Sequence, residues 1–319
     1  MQTYLKTKPV WMQLLLFMGM AFGLLMAIFL LGSALLSAVT GVGMLEMNDM
    51  DKLGSNPKRL TVLRSMMLLQ FLGLFLIPSL LFAYFSDPKP AQYLGLKAPS
   101  KSGYWLVAVA LLFAAIPAVE FTGIFNKSIN FGKNMQTWAQ AMEEDAQKTI
   151  QLLLASNTVS DLFINLVFIA GFAAVGEELF FRGILQRLFV RASKNPWVGI
   201  IIAAFLFSFL HFQFYGFIPR FLLGIVLGAI YWYSGSLWVA IAAHFVYDAF
   251  IIILVHLNPA MLQNPEAPMV NSAYLGIAAL ASAVVTGLLL WWMKKNTTAN
   301  YADVYADDDP KATEKDFTF

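Results

Sequence analysis

Cysteine is missing from all 319 residues. Disulfide bonds, thiolate nucleophiles and cysteine-based zinc or iron–sulfur sites are therefore excluded. Prenylation or palmitoylation of the chain itself is excluded as well. Charge is scarce. Only 13% of the residues are Asp, Glu, Lys or Arg, against about 25% in a soluble domain. The formal net charge of +2 gives nucleic acid no electrostatic footing, so none is expected as a partner. Histidine occurs three times, and the soluble zinc-protease signature H-E-x-x-H does not occur. No serine stands at a family-like spacing from a histidine, so nucleophilic serine catalysis has no visible basis. There is no internal repeat and no low-complexity tract.

Hydrophobic residues dominate instead, at 59%, and they cluster in long runs. At about 20 apolar residues per crossing, eight spans are expected. They run from Trp11 to Val39, Ser65 to Phe85, Tyr104 to Ile124, and from Val159 to the Glu177-Glu178 pair. A short one follows from Trp197 to Phe212, then Phe217 to Tyr233, Leu237 to Leu257, and Tyr274 to Met293. Without water, only helices can satisfy the backbone along such runs, so the fold class is all-α, a polytopic membrane bundle with the site inside. Seven of the eight tryptophans fall at the limits of these spans, as an interfacial aromatic belt requires; Trp138 lies elsewhere. The first run is roughly twice the length of a signal-peptide core, so it reads as a retained helix.

Thirteen of the 21 Lys and Arg residues fall on the side of the two termini. That bias places both termini in the cytoplasm, and the chain reads as a bacterial plasma-membrane protein. Four blocks follow. Residues 1–158 hold three spans and an amphipathic surface segment between Met135 and Leu154; residues 159–257 form a catalytic core. Residues 258–295 hold the last loop and span, and 296–319 a polar, disordered tail. Gly19-x-x-x-Gly23 and Gly224-x-x-x-Gly228 read as close-packing surfaces between helices.

Three polar spots interrupt the apolar core: Glu177-Glu178 with Arg182, then His211, then His244 with Asp248. Each charge in a hydrocarbon slab costs about 2.5–3.5 kcal/mol on insertion scales, so such residues usually face the bundle interior and mark a site. Glu178 and Arg182 are four apart and share a helix face, where an ion pair neutralises both. Glu177 points about 100° away, with Phe181 four residues on. One glutamate thus reads as structural and its neighbour as free for proton transfer. The bland alternative is a polar cluster at a helix end. His244 and Asp248 also share a face, to orient a water, bind a metal or satisfy each other. Asp161, Asn165, Glu120 and His256 sit near span ends and read as interfacial. Two carboxylates and two imidazoles together can activate a water and protonate a leaving amine.

In their order and spacing, Glu177-Glu178-x-x-x-Arg182, Phe207-x-x-x-His211 and His244-x-x-x-Asp248 resemble the motifs of the CPBP (Abi) family of intramembrane proteases, which includes the type II CAAX prenyl endopeptidases. Leu94-Gly95-Leu96 and Gly235-Ser236-Leu237-Trp238 are similar too. The resemblance spans roughly Phe163 to Phe250. It implies an eight-helix fold in which Glu177 and His211 polarise the attacking water and His244 with Asp248 forms an oxyanion site. Glu178 and Arg182 would hold the architecture. Asp248 stands where the family often has asparagine. An ionised aspartate donates no hydrogen bond, so it must be protonated, bind a metal or orient His244. Zinc is compatible, with Glu177, His211, His244 and Asp248 as candidate ligands. The substrate implied is a membrane-associated peptide, either CAAX-like and lipidated or of bacteriocin type. Membrane lipid is the other partner, and the sequence sets no oligomeric state. The competing functions are a non-enzymatic scaffold or immunity protein, and a proton-coupled carrier.

Overall fold

A computed structural model describes residues 3–130, 132–156, 158–262 and 274–298. Among these residues all regular structure is helical. The main helices are α1 (Val10–Thr40), α2 (Arg59–Ser86), α3 (Gly103–Ser128), α4 (Lys133–Leu154), α5 (Val159–Ser193), α6 (Pro196–Phe209), α7 (Phe217–Ser234), α8 (Leu237–Leu257) and α9 (Leu275–Asn296). All but α4 and α6 are long and apolar enough to cross a membrane, which makes the protein an all-α polytopic membrane protein. From residue 299 on, the polar tail expected over 296–319 lies outside the described residues.

The fourth span corrects the sequence-based limits. It does not stop at Glu177-Glu178 but continues to Ser193. Apolar content falls after Leu179 because Arg182, Gln186, Arg187 and Arg191 intervene, and that fall reads as a helix end. The structure accommodates these residues by burial against partners. Gln186 Nε2 donates to the Gly228 carbonyl (3.1 Å) and Arg187 Nη1 to the Tyr93 carbonyl (3.0 Å). Arg191 Nη1 donates to Gln13 Oε1 (3.1 Å). Every residue from Glu178 to Gln186 is buried, so α5 is the central post of the bundle. This stretch winds as a π-helix, as do Leu166–Gly171 in the same helix and Phe71–Leu76 in α2. Wide turns of this kind recur at functional sites.

Helix α6 sets the depth of the site. Its 14 residues cover roughly 21 Å at 1.5 Å per residue, less than the ~30 Å hydrocarbon core. Phe212 adopts φ 54°, a left-handed turn that ends the helical path. The non-helical backbone that follows needs internal partners, and it finds them. Asn126 Nδ2 donates to the Phe214 carbonyl (2.6 Å), and Asn126 Oδ1 accepts from the Ile218 amide (2.7 Å). Ser208 Oγ donates to the Phe217 carbonyl (2.6 Å).

The two glycine pairs separate. Gly224 and Gly228 allow α7 to touch α6 and α5: a Cβ at Gly228 would stand 2.7 Å from Gln186 Oε1, and one at Gly224 3.0 Å from Ala204 Cβ. Gly19 and Gly23 have nothing within 4 Å of such a Cβ, so the close contact expected there does not form. Helix α1 lies at the bundle's edge, with few buried residues, and that face meets lipid rather than protein.

The two glycine turns that carried part of the resemblance meet each other. Gly95 (φ 73°) and Gly235 (φ 63°) are both left-handed, a conformation glycine adopts without strain. The Leu237 amide donates to the Gly95 carbonyl (2.8 Å), and Ser236 Oγ to the Lys97 carbonyl (2.5 Å). This latch fixes the start of α8, and with it the depth of His244 and Asp248. At the other end of α5, Arg64 Nη2 pairs with Asp161 Oδ1 (2.7 Å) and reaches Asn165 Oδ1 (3.1 Å). Helix α4 covers the adjoining face, with Trp138 against Phe214 (5.3 Å between ring centres) and an exposed Lys148–Asp51 pair (2.8 Å). The Asp51 carboxylate holds the Lys148 ammonium above the usual lysine range.

Candidate intramembrane active site

Glu178 lies at the centre of the polar constellation. Its Oε1 accepts from Arg182 Nη1 at 2.7 Å, with both side chains fully enclosed. The same oxygen stands 3.0 Å from His244 Nδ1 on α8. A carboxylate held by an arginine is an acceptor, so His244 Nδ1 is assigned as the donor. Arg182 also donates to the Gly224 carbonyl of α7 (3.1 Å) and lies over the Phe207 ring of α6 (4.7 Å). One ion pair therefore ties α5, α6, α7 and α8 together. The helix-end alternative for the two glutamates does not hold, because both sit mid-helix and Glu178 is wholly buried.

Glu177 faces a different surface, as its 100° offset from Glu178 requires. Its Oε1 stands 3.8 Å from His211 Nε2, and its Oε2 3.9 Å from His244 Nε2. Both separations exceed a direct hydrogen bond and suit groups that share one water. His211 Nδ1 is 2.6 Å from the Phe207 carbonyl, which assigns the proton to Nδ1 and leaves Nε2 as an acceptor toward the site. Asp248 Oδ2 lies 3.4 Å from His244 Nε2. His244 thus meets carboxylates at both ring nitrogens, Glu178 at Nδ1 and Asp248 with Glu177 at Nε2.

Glu177, His211, His244 and Asp248 line one cavity of about 430 Å³ between α5, α7 and α8. The sequence-derived residues therefore all come together. A second, aromatic slot of about 110 Å³, between α2 and α5, also reaches Glu177. Among the described residues no group of three or more His, Asp or Glu side chains is arranged to hold a metal ion.

Arg220 was not among the residues expected at the site. It lines the same cavity. A signal was present, since Arg220 is the one charged residue in Phe217–Ser234. The Glu178–His244 contact had no sequence signal, because the residues are 66 positions apart.

The fold and this site define the class: an all-α integral membrane protein with an enclosed carboxylate–imidazole centre. Residues 159–250 match the family model described as type II CAAX prenyl endopeptidase Rce1-like. The resemblance read from the motifs is borne out over that segment, which contains every residue of the constellation. A Bacillus subtilis (strain 168) protein described as "Uncharacterized protein YpbD" is 32% identical over 89 residues. That alignment covers 27% of this chain and 42% of the relative, so less than half of the curated relative's length is spanned. No solved structure matches.

Proposed function

We propose that this protein is an intramembrane endopeptidase that hydrolyses a peptide bond of a membrane-associated peptide with an activated water. The observation that carries this reading is the convergence of Glu177, His211 and His244 on one cavity, at 3.8 and 3.9 Å. The family match over 159–250 supports it at the level of a membrane protease.

In this reading the water sits between Glu177 and His211 Nε2. Glu177 takes its proton as the oxygen attacks the scissile carbonyl carbon. The carbonyl oxygen becomes an oxyanion, and His244 Nε2–H donates to it. Asp248, 3.4 Å from the same nitrogen, keeps the proton on Nε2 until the oxyanion takes over that hydrogen bond, the role left to an aspartate that cannot itself donate. The proton on Glu177 then passes to the leaving nitrogen, the C–N bond breaks, and the carboxylate is restored. Glu178 acts through His244 and Arg182, so it is a positioning residue.

The substrate class follows the family: a lipidated CAAX-like tail or a peptide of bacteriocin type. The Lys and Arg distribution supports both termini in the cytoplasm, and the membrane in this reading is a bacterial plasma membrane. A scaffold needs no enclosed set of ionisable groups around a cavity, and no structural observation favours that reading or a carrier.

The test compares new peptide termini in membranes of cells making the wild type or Glu177→Gln at equal levels. Termini that depend on Glu177 are expected, with a rate loss of roughly 10²–10⁴-fold in the variant. Identical termini, with both proteins folded and abundant, would overturn the reading.

A further inference from the structure

Among the described residues Arg220 makes no direct ion pair; the carboxylates of Glu143 and Glu177 act on it only at longer range. It stands in the first turn of α7, where the helix dipole adds to its positive field. Nη1 donates to the Gln213 carbonyl (2.8 Å) and Nη2 to Gln213 Oε1 (2.7 Å). A guanidinium offers five N–H groups, so most of its donors remain. Among the described residues no carboxylate lies within ion-pair distance of it. Both of its nearest structural partners are oxygens of one neutral side chain and its own backbone.

Its position is as informative as its charge. Gly216, Pro219 and Arg220 line both the catalytic cavity and a second, outer cavity of about 560 Å³. Across that outer cavity stand Glu143, Gln147 and Gln151 of α4. Arg220 therefore occupies the neck between an amide-rich vestibule and the Glu177 centre. Gly216 makes room for it: a Cβ there would stand 2.7 Å from Nη2. In the vestibule wall, Glu143 Oε2 is buried without a hydrogen-bond partner, an acceptor fit for a peptide N–H.

We propose that Arg220 anchors a carboxylate of the peptide substrate at this neck. The peptide lies through the vestibule under α4, and its carboxylate sits a short distance from the bond presented to Glu177. A planar guanidinium with free donors takes a carboxylate bidentately, and in a low-dielectric neck that pairing compensates both charges. The carboxylate comes either from the C-terminus or from an Asp or Glu side chain. This proposal rests on the protease reading and deepens it.

The test reads binding apart from cleavage. The full chain carrying Glu177→Gln, in detergent micelles, is titrated with N-terminally labelled peptides of alternating Ala and Leu, and anisotropy is recorded. The peptides have a free C-terminal carboxylate, a C-terminal amide, an amide with one internal Asp, or an amide with Asn in its place. At least one acidic peptide is expected to bind about 10-fold more tightly than its uncharged counterpart, as a charge-assisted pair gives. Which one does so identifies the source of the carboxylate. Adding Arg220→Gln is expected to abolish the preference and to leave amide binding within about 3-fold, while Arg220→Lys keeps part of it. Should Arg220→Gln not fold, Gly216→Ala, whose methyl crowds Nη2, is expected to reduce the preference.

Equal binding of acidic and neutral peptides, absence of binding by both, or a preference that survives in Arg220→Gln would overturn the anchor. With the active protein, Arg220→Gln is expected to raise KM about 10-fold for the acidic peptide with kcat little changed. A fall in kcat alone would assign Arg220 to holding the turn after His211, and would also overturn it. Failure of the protease reading shows separately, as Glu177-independent termini.

Discussion

Helices α1 and α5 are both long and apolar enough to cross a membrane, yet α1 and the middle of α5 meet opposite surroundings. Of the 31 residues of α1 only Gln13, Phe17, Ala21, Ser33 and Thr40 are buried. In α5 every residue from Glu178 to Gln186 is buried, three of them bearing charge or an amide. The difference teaches that in lipid, hydropathy reports crossing but not contact. A leucine facing acyl chains and a leucine facing protein look the same in sequence. The informative residues are polar ones that survive inside, because each must have found a partner.

The largest expected effect on this contrast comes from breaking the ion pair that anchors α5. Arg182→Leu leaves the Glu178 charge enclosed and unpaired, which costs on the order of 3–5 kcal/mol. It is expected to leave Glu178, the partner of His244, without its anchor and to deplete folded protein, read as yield and melting midpoint in detergent. A normal melting midpoint would mean that Glu178 is not charged there.

A smaller effect is expected where α7 meets α5 and α6. Gly228→Val drives a branched side chain onto Gln186 Oε1 and Ile200, an overpacking cost of about 1–3 kcal/mol. The melting midpoint should fall, and activity with it. Gly19→Val in α1 is expected to leave both unchanged, because open space surrounds that position. Equal falls at Gly228 and Gly19 would erase the comparison. A fall at Gly19 alone would place a protein partner on the lipid-facing side of α1.

Much of this contrast was legible in residues taken singly. Eight apolar runs, the Glu178–Arg182 spacing and the His244–Asp248 spacing each follow from local rules, and each appears in the structure as an element or a contact. The limits of α5 were not legible, because arginines and a glutamine beyond Leu179 look like a return to water until Tyr93, Gly228 and Gln13 supply their partners. Nor was the position of His211. It depends on the left-handed Phe212 and on Asn126 from α3, which satisfies a broken backbone 88 residues away.

Composition and spacing alone determined that this chain crosses a membrane as helices and carries carboxylates and imidazoles in pairs. The period of the helix and the cost of charge in hydrocarbon act within a few residues, so sequence suffices for them. Only the tertiary structure decided that Glu178 serves Arg182 and His244 together, that Glu177 faces both imidazoles, and that Arg220 stands at the neck of the cavity. Those facts depend on where distant helices come to rest against one another, which no local periodicity encodes.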